Sequence, residues 1–191
     1  MLVAAAIVGL IIYSVAYGDA PQLRTKAMTV RAVLYPLSLL IVPIGMWVKR
    51  SRERRRTTAR MPWPHLLAVL VTLPFAIDLA GNALDFYDSI EHFDDWVHLG
   101  NPVLFVAAVS LVFAATGVPR WTVAVMAFGI GSTFHILWEM TEGQLLEKIA
   151  NVDLHISLAD TLSDLAWGLV GSGMGVAIAL GALAIGDRKV R

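Results

Sequence analysis

Several apolar runs in this chain approach the length of a lipid bilayer, and they leave few folds open to it. A hydrocarbon core about 30 Å thick is crossed by roughly 20 helical residues. At that depth no water is available to satisfy backbone N–H and C=O groups, so a spanning run must be a helix or a strand of a closed barrel. The runs here lack the apolar–polar alternation of barrel strands, and helix is what remains. Composition agrees. Of 191 residues 57% are hydrophobic and 16% charged, with a mean hydropathy of +0.67, whereas a soluble domain carries about 25% charged residues. There are no cysteines, which excludes a disulfide framework and thiolate metal ligation.

The pattern predicts an all-α, polytopic bundle in one domain, with helices over about 2–17, 30–48, 63–86, 102–116, 121–142 and 158–185. The first run, Leu2 to Tyr17, has no Lys or Arg before it and reads as an uncleaved transmembrane helix rather than a signal peptide. Pro36 and Pro43 are expected to kink the second helix. Asn101-Pro102 has the form of an N-cap followed by a first-turn proline and is expected to open the fourth. Gly117 and Pro119 close it.

Charge sets the orientation. Seven of the fifteen Lys and Arg lie between 49 and 60: Lys49, Arg50, Arg52, Arg54, Arg55, Arg56 and Arg60. A basic run beside a membrane helix belongs on the cytoplasmic side, where anionic headgroups are its natural partners. Six helices then put both termini in the cytoplasm with Arg120, Arg188, Lys189 and Arg191, leaving Arg24, Lys26 and Lys148 as exceptions. Thirteen of the fifteen acidic residues fall on the other side. The balanced net charge gives no case for nucleic acid. Trp63, Trp96, Trp121 and Trp138 sit near predicted helix ends, as interfacial aromatics do.

Ionisable residues inside membrane helices are costly and mark function by default. Asp78, Asn82 and Asp85 are spaced i, i+4, i+7, and so are His135, Glu139 and Glu142. Asp160 and Asp164 are i, i+4 at the start of the last helix. The connector before them adds Asp88, Glu91, His92, Asp94, Asp95 and His98, with Asp94 or Asp95 within one turn of His98. All lie at the extracytoplasmic ends of their helices. Four helix ends can therefore converge on one carboxylate–histidine pocket, suited to zinc, manganese, iron or magnesium. The ordinary readings stand beside this one. Ser157 and Asp160 have capping-box spacing; Asp88, Glu91 and Asp94 suit a solvated loop; His135 and Asp164 could form a polar clamp between helices. Gly168, Gly171 and Gly175, with Gly129 and Gly131, permit close helix approach.

The segments Phe93-Asp94-Asp95-Trp96-Val97-His98, His135-Ile136-Leu137-Trp138-Glu139-Met140-Thr141-Glu142 and Asp160-Thr161-Leu162-Ser163-Asp164-Leu165 resemble, in order, the motifs of YjdF-like bacterial inner-membrane proteins. More distantly they are similar to VanZ-like proteins, which are associated with glycopeptide resistance and the cell envelope. The usual VanZ-like Glu-x-x-Gln segment is not matched here, although Glu142-Gly143-Gln144 is nearby, and this departure counts against a resistance role. The resemblance covers about residues 85–175 and implies a helical bundle with a shared polar pocket in the bacterial inner membrane, with no assigned reaction.

The expectation is a pocket that binds zinc, manganese or iron through Asp95, His98, His135, Glu139 and Asp164, with Asp85 and Asp160 orienting a ligand or moving a proton. Asp78, Asn82 and Glu142 complete its polar wall. Its substrate would be lipid-linked or part of the envelope. The alternatives are a proton- or cation-coupled transporter, with Asp78 on the path, and a non-catalytic subunit joined to a partner membrane protein or a second copy of itself. The residues alone do not decide whether the pocket is catalytic.

Overall fold

A computed structural model describes residues 2–17, 23, 26–53, 64–142 and 157–189. The described residues form α1 (Leu2–Ala16), α2 (Met28–Glu53), α3 (His65–Ala83), α4 (Phe86–Ser89), α5 (Phe93–Ala114), α6 (Arg120–Thr141) and α7 (Leu158–Lys189), with no strand among them. Helices α2, α3, α5, α6 and α7 are long and apolar enough to cross a membrane, and α1 is a shorter apolar helix. The chain is a multi-pass helical membrane protein. Most of the basic run lies in residues 54–63, outside the described residues, as do Arg24 and Lys148.

Several boundaries differ from the expected ones: α2 runs to Glu53 rather than 48, α7 to Lys189 rather than 185, and α4 is an added short helix. The predicted fourth helix begins at Phe93 rather than 102, so Asn101 and Pro102 lie inside α5. Asp94 and Asp95 favour the earlier start, because carboxylates in a first turn complement the helix dipole. Pro102 removes only one backbone donor, which packed membrane helices tolerate. Conversely, α3 stops at Ala83, short of the expected 86. Asp85 takes a left-handed conformation, with φ 62°, and turns the chain into α4. Asp is one of the few residues that adopts this conformation readily.

Helix α5 is the hub. It packs on α3, on α6 and most extensively on α7. The α5–α7 contact depends on glycine. A Cβ at Gly171 would stand 2.2 Å from the Leu99 carbonyl oxygen, and one at Gly175 would stand 3.0 Å from the Val103 oxygen. Gly131 does the same for α5–α6, since its Cβ would fall 2.2 Å from Val106 Cγ2. Gly129, expected to thin this contact, faces open space. On the other flank Ile7, Leu23, Met28, Tyr35, Ala76, Leu79 and Ala83 form a core that joins α1, α2 and α3. The outer face of α2 leaves Val33, Leu37, Leu40, Ile44 and Trp47 exposed, as a lipid-facing surface should. The acidic and histidine-bearing helix ends gather at the end of the bundle away from residues 49–53.

Candidate functional site

The first turns of α5 place Asp94 and His98 one helical turn apart, on a shared face. Helix α6 places His135 and Glu139 in the same relation, and α7 supplies Asp164. His98, His135, Glu139 and Asp164 are all buried. The His98 ring lies between two carboxylates: Nδ1 is 3.1 Å from Glu139 Oε1, and Nε2 is 3.2 Å from Asp94 Oδ1. Asp164 Oδ1 stands 3.9 Å from the same Nε2. The rings of His98 and His135 meet edge to face, with centroids 5.4 Å apart.

His135 Nε2 is 2.9 Å from the Asp164 backbone oxygen. A carbonyl only accepts, so Nε2 carries the proton and Nδ1 of the neutral ring keeps the lone pair. Gly168 makes room for this ring, because a Cβ there would fall 1.9 Å from His135 Cδ2. Glu139 Oε1 lies 3.9 Å from His135 Nε2 and 3.1 Å from His98 Nδ1, yet it is fully buried with no hydrogen-bond partner. One ligand atom each from His98, His135 and Glu139 lies within 4.8 Å of the other two, and Asp94, His98 and Asp164 meet the same limit. Ligand atoms around a tetrahedral metal with bonds near 2.1 Å stand about 3.4 Å apart, so small side-chain movements would close either set.

Asp78 and Asn82 share a face of α3, as the spacing predicted, but they belong to a second centre. The Arg31 guanidinium on α2 donates to Asp78 and to Glu142, and Tyr35 also donates to Asp78. Tyr87 donates to the other Asp78 oxygen at 2.9 Å, and Asn82 reaches it at 3.3 Å. Burial first, then the neighbouring Asp78 charge, hold the Tyr87 phenol well above its usual pKa, which keeps it a donor. Arg31 is 3% exposed. It was absent from the sequence reading, although a lone Arg one turn inside an apolar helix is the signal that marks such a residue.

The remaining predicted site residues lie apart from the histidines. Asp95 bonds His92 at 2.9 Å on the exposed side of α5, and Asp94 takes the place expected of it beside His98. Asp94 meets His98 at i, i+4, whereas Asp95 is engaged at i, i+3 with His92. Asp85 lies in the α3–α4 turn, half-buried. Asp160 is exposed, and its backbone N–H donates to Ser157 Oγ at 3.0 Å, which is the capping arrangement. Glu142 belongs with Arg31 rather than with His135 and Glu139.

A cleft with about 610 Å³ of empty space, the open solvent at its mouth included, touches both centres. Its polar wall is Asp78, His98, Asn101 and His135, and much of the rest is aromatic, including Tyr35, Phe75, Phe105, Phe134 and Trp138. Trp138, expected at the interface, instead packs on Tyr35 and Phe75, with centroids 5.9 and 6.4 Å away. Toward the other membrane face, Val42, Val71 and Ala108 close up with Met46, Leu67, Ala68 and Leu70.

No curated protein and no solved structure matches the chain. A family model described as "Predicted membrane protein (DUF2238)" matches residues 1–184. The buried polar centres, the five spanning helices and this match along nearly the whole chain agree, and the chain belongs to the DUF2238 family of predicted membrane proteins.

Proposed function

We propose that the protein binds one divalent metal ion, zinc, manganese or iron, between α5 and α6, through His98 Nδ1, Glu139 and His135, and uses it on a substrate held in the adjoining cavity. Two histidines and a glutamate are a donor set of catalytic zinc sites, which keep a further coordination position open for water. The surroundings suit that role. Asp94 stands against the far nitrogen of His98, and the Asp164 carbonyl accepts from His135, the two kinds of partner that orient metal-bound imidazoles. The open position would face the cavity, since both histidines line it. A metal there would lower the pKa of bound water and favour hydrolysis.

The single observation that carries this reading is the buried Glu139 carboxylate, 3.1 Å from His98 Nδ1 and with one ligand atom within 4.8 Å of one from each of His98 and His135. The basic run at 49–60 supports an extracytoplasmic placement, and the resemblance to YjdF-like proteins supports a bacterial inner membrane, where a lipid-linked or envelope substrate would be at hand. Elemental analysis of protein purified without chelator tests the proposal. About one metal per chain is expected, falling at least tenfold in Glu139→Gln and His98→Ala. Wild type that holds no metal, even after incubation with all three ions, would refute it.

Transport of protons or cations is the second reading. Ser132, Ser172 and Ser110, one each from α6, α7 and α5, bury hydroxyls without hydrogen-bond partners among the described residues. The apolar cluster around Val42 and Val71 weighs against a continuous path. Flux into proteoliposomes that Ser→Ala changes abolish would favour transport over catalysis.

A further inference from the structure

The cavity has a chemical preference of its own, written in Asn101. This side chain enters from α5, where its Nδ2 reaches the Pro74 carbonyl of α3 at 3.5 Å. That contact fixes which end of the amide is which, because a carbonyl can only accept. The Asn101 Oδ1 is therefore the end left over, and it is fully buried with no partner. An amide oxygen shut away from water costs free energy unless a donor meets it. The neighbouring carboxylate of Asp78 cannot serve, since carboxylates accept and its oxygens are occupied by Arg31, Tyr35, Tyr87 and Asn82.

The rest of the cavity says what the donor is attached to. Phe75, Val97, Phe105, Phe134 and Trp138 give it a mainly apolar, aromatic wall. Helices α3 and α6 each pack on α5 and barely touch one another, so the gap between them is bridged by side chains, Phe75 against Trp138 among them. Phe134, stacked on Phe105 at 4.3 Å, is 38% exposed on the lipid-facing surface. The buried carboxylates of Asp78, Glu139 and Asp164 disfavour an anionic head in this pocket.

We infer that the cavity takes a lipid with an apolar chain and a neutral hydrogen-bond donor at its head, a long-chain alcohol in the simplest case, with the hydroxyl donating to Asn101 Oδ1. The inference deepens the metal reading, since it names the substrate class of the same pocket. It places the head group beside the position that His98 and His135 face.

The test is quenching of Trp138 fluorescence in detergent-purified full-length protein by a dibrominated long-chain alcohol, with the equal-length dibromoalkane, primary amine and phosphate monoester as comparisons. The alcohol is expected to quench saturably and about tenfold more tightly than the alkane or the phosphate, the value of one buried hydrogen bond. Saturable quenching should vanish in Trp138→Phe. Asn101→Leu should bring the alcohol down to the alkane. Equal binding of alcohol and alkane to wild type, an arm that needs no variant, would overturn the inference. Tighter binding of the amine or the phosphate would overturn it as well. Each titration is repeated after chelation. An alcohol preference in protein that never holds metal would support this inference while sinking the metal reading, and a bound metal without an alcohol preference would do the reverse.

Discussion

Gly168→Ala places a methyl group in the one spot where packing and the histidine centre meet. The new Cβ would lie 1.9 Å from His135 Cδ2, 2.0 Å from Nε2 and 2.6 Å from Cγ. Ordinary carbon contacts begin near 3.5 Å, so the ring must retreat by roughly 1.5 Å. The bond from His135 Nε2 to the Asp164 oxygen, now 2.9 Å, then lengthens past the hydrogen-bond range. Overpacking of this kind costs about 1–3 kcal/mol, and the lost hydrogen bond about 1 kcal/mol more. The better helix propensity of alanine returns about 1 kcal/mol. The net expectation is a loss of about 1–3 kcal/mol, read as a lower midpoint for unfolding in mixed micelles by SDS titration. Metal retention should fall at least tenfold, because ring orientation sets ligand affinity. Gly173→Ala is the control, since nothing lies within 4 Å of its Cβ, and it should stay within about 0.5 kcal/mol of wild type. If the clash is the cause, Gly168→Ala in a His135→Ala background should cost far less than in wild type. A Gly168→Ala protein as stable as the control, still holding its metal, would refute the packing argument and the site built on it.

Three further outcomes follow from particular contacts. Arg31→Met leaves the Asp78 and Glu142 carboxylates buried without their cation, which should cost about 3–5 kcal/mol in the same unfolding assay; Arg31→Lys should recover only part of it, since an ammonium cannot fork between the two. Ser157→Ala should cost about 1 kcal/mol by removing the acceptor for the Asp160 N–H, whereas Asp160→Asn should leave metal content unchanged if Asp160 serves the cap alone. Asp88, outside the membrane spans, has its pKa lowered by a hydrogen bond from Lys26 at 2.5 Å. A carboxyl depressed on folding contributes stability above its unfolded pKa and loses it as pH falls through the folded value. The Lys26–Asp88 contribution should therefore fade below about pH 4. It should also shrink in 1 M salt, and a Lys26→Met protein should show neither dependence.

The fold was legible because a membrane imposes few solutions. Apolar runs without alternation have to be helices, and the five long spans follow from length and hydropathy. Helical phase did well within single elements: His135 with Glu139, and Asp78 with Asn82, share faces as their spacing requires. It failed where an element ended or where the partner was remote. Asp85 dropped out of its row because α3 stops and the chain turns at φ 62°. Glu142 caps α6 three residues beyond Glu139, yet it serves Arg31, which is 111 residues away in sequence. No local pattern encodes that pairing. The choice of Asp94 over Asp95 depended on where α5 begins, and the Asn101-Pro102 signal misplaced that start by most of three turns.

Charge balance ties the two centres together. One end of the bundle buries or half-buries Asp78, Asp94, Glu139, Glu142 and Asp164, and the Arg31 guanidinium serves two of them. A buried carboxylate without a counter-charge is held only at a cost of several kcal/mol, so Glu139 and Asp164 need protons or a cation, whereas Asp94 keeps contact with solvent. Around Arg31 the account is nearly complete, because Tyr35, Tyr87 and Asn82 satisfy the remaining Asp78 valences. That centre has the character of a finished structural clamp tying α2 to α3 and to the end of α6. Around His98 it is incomplete: three carboxylates face two imidazoles, and Glu139 Oε1 has no hydrogen bond. A bundle that finishes one polar cluster and leaves its neighbour open, at the wall of a cavity, has put its unspent binding capacity at His98, His135 and Glu139.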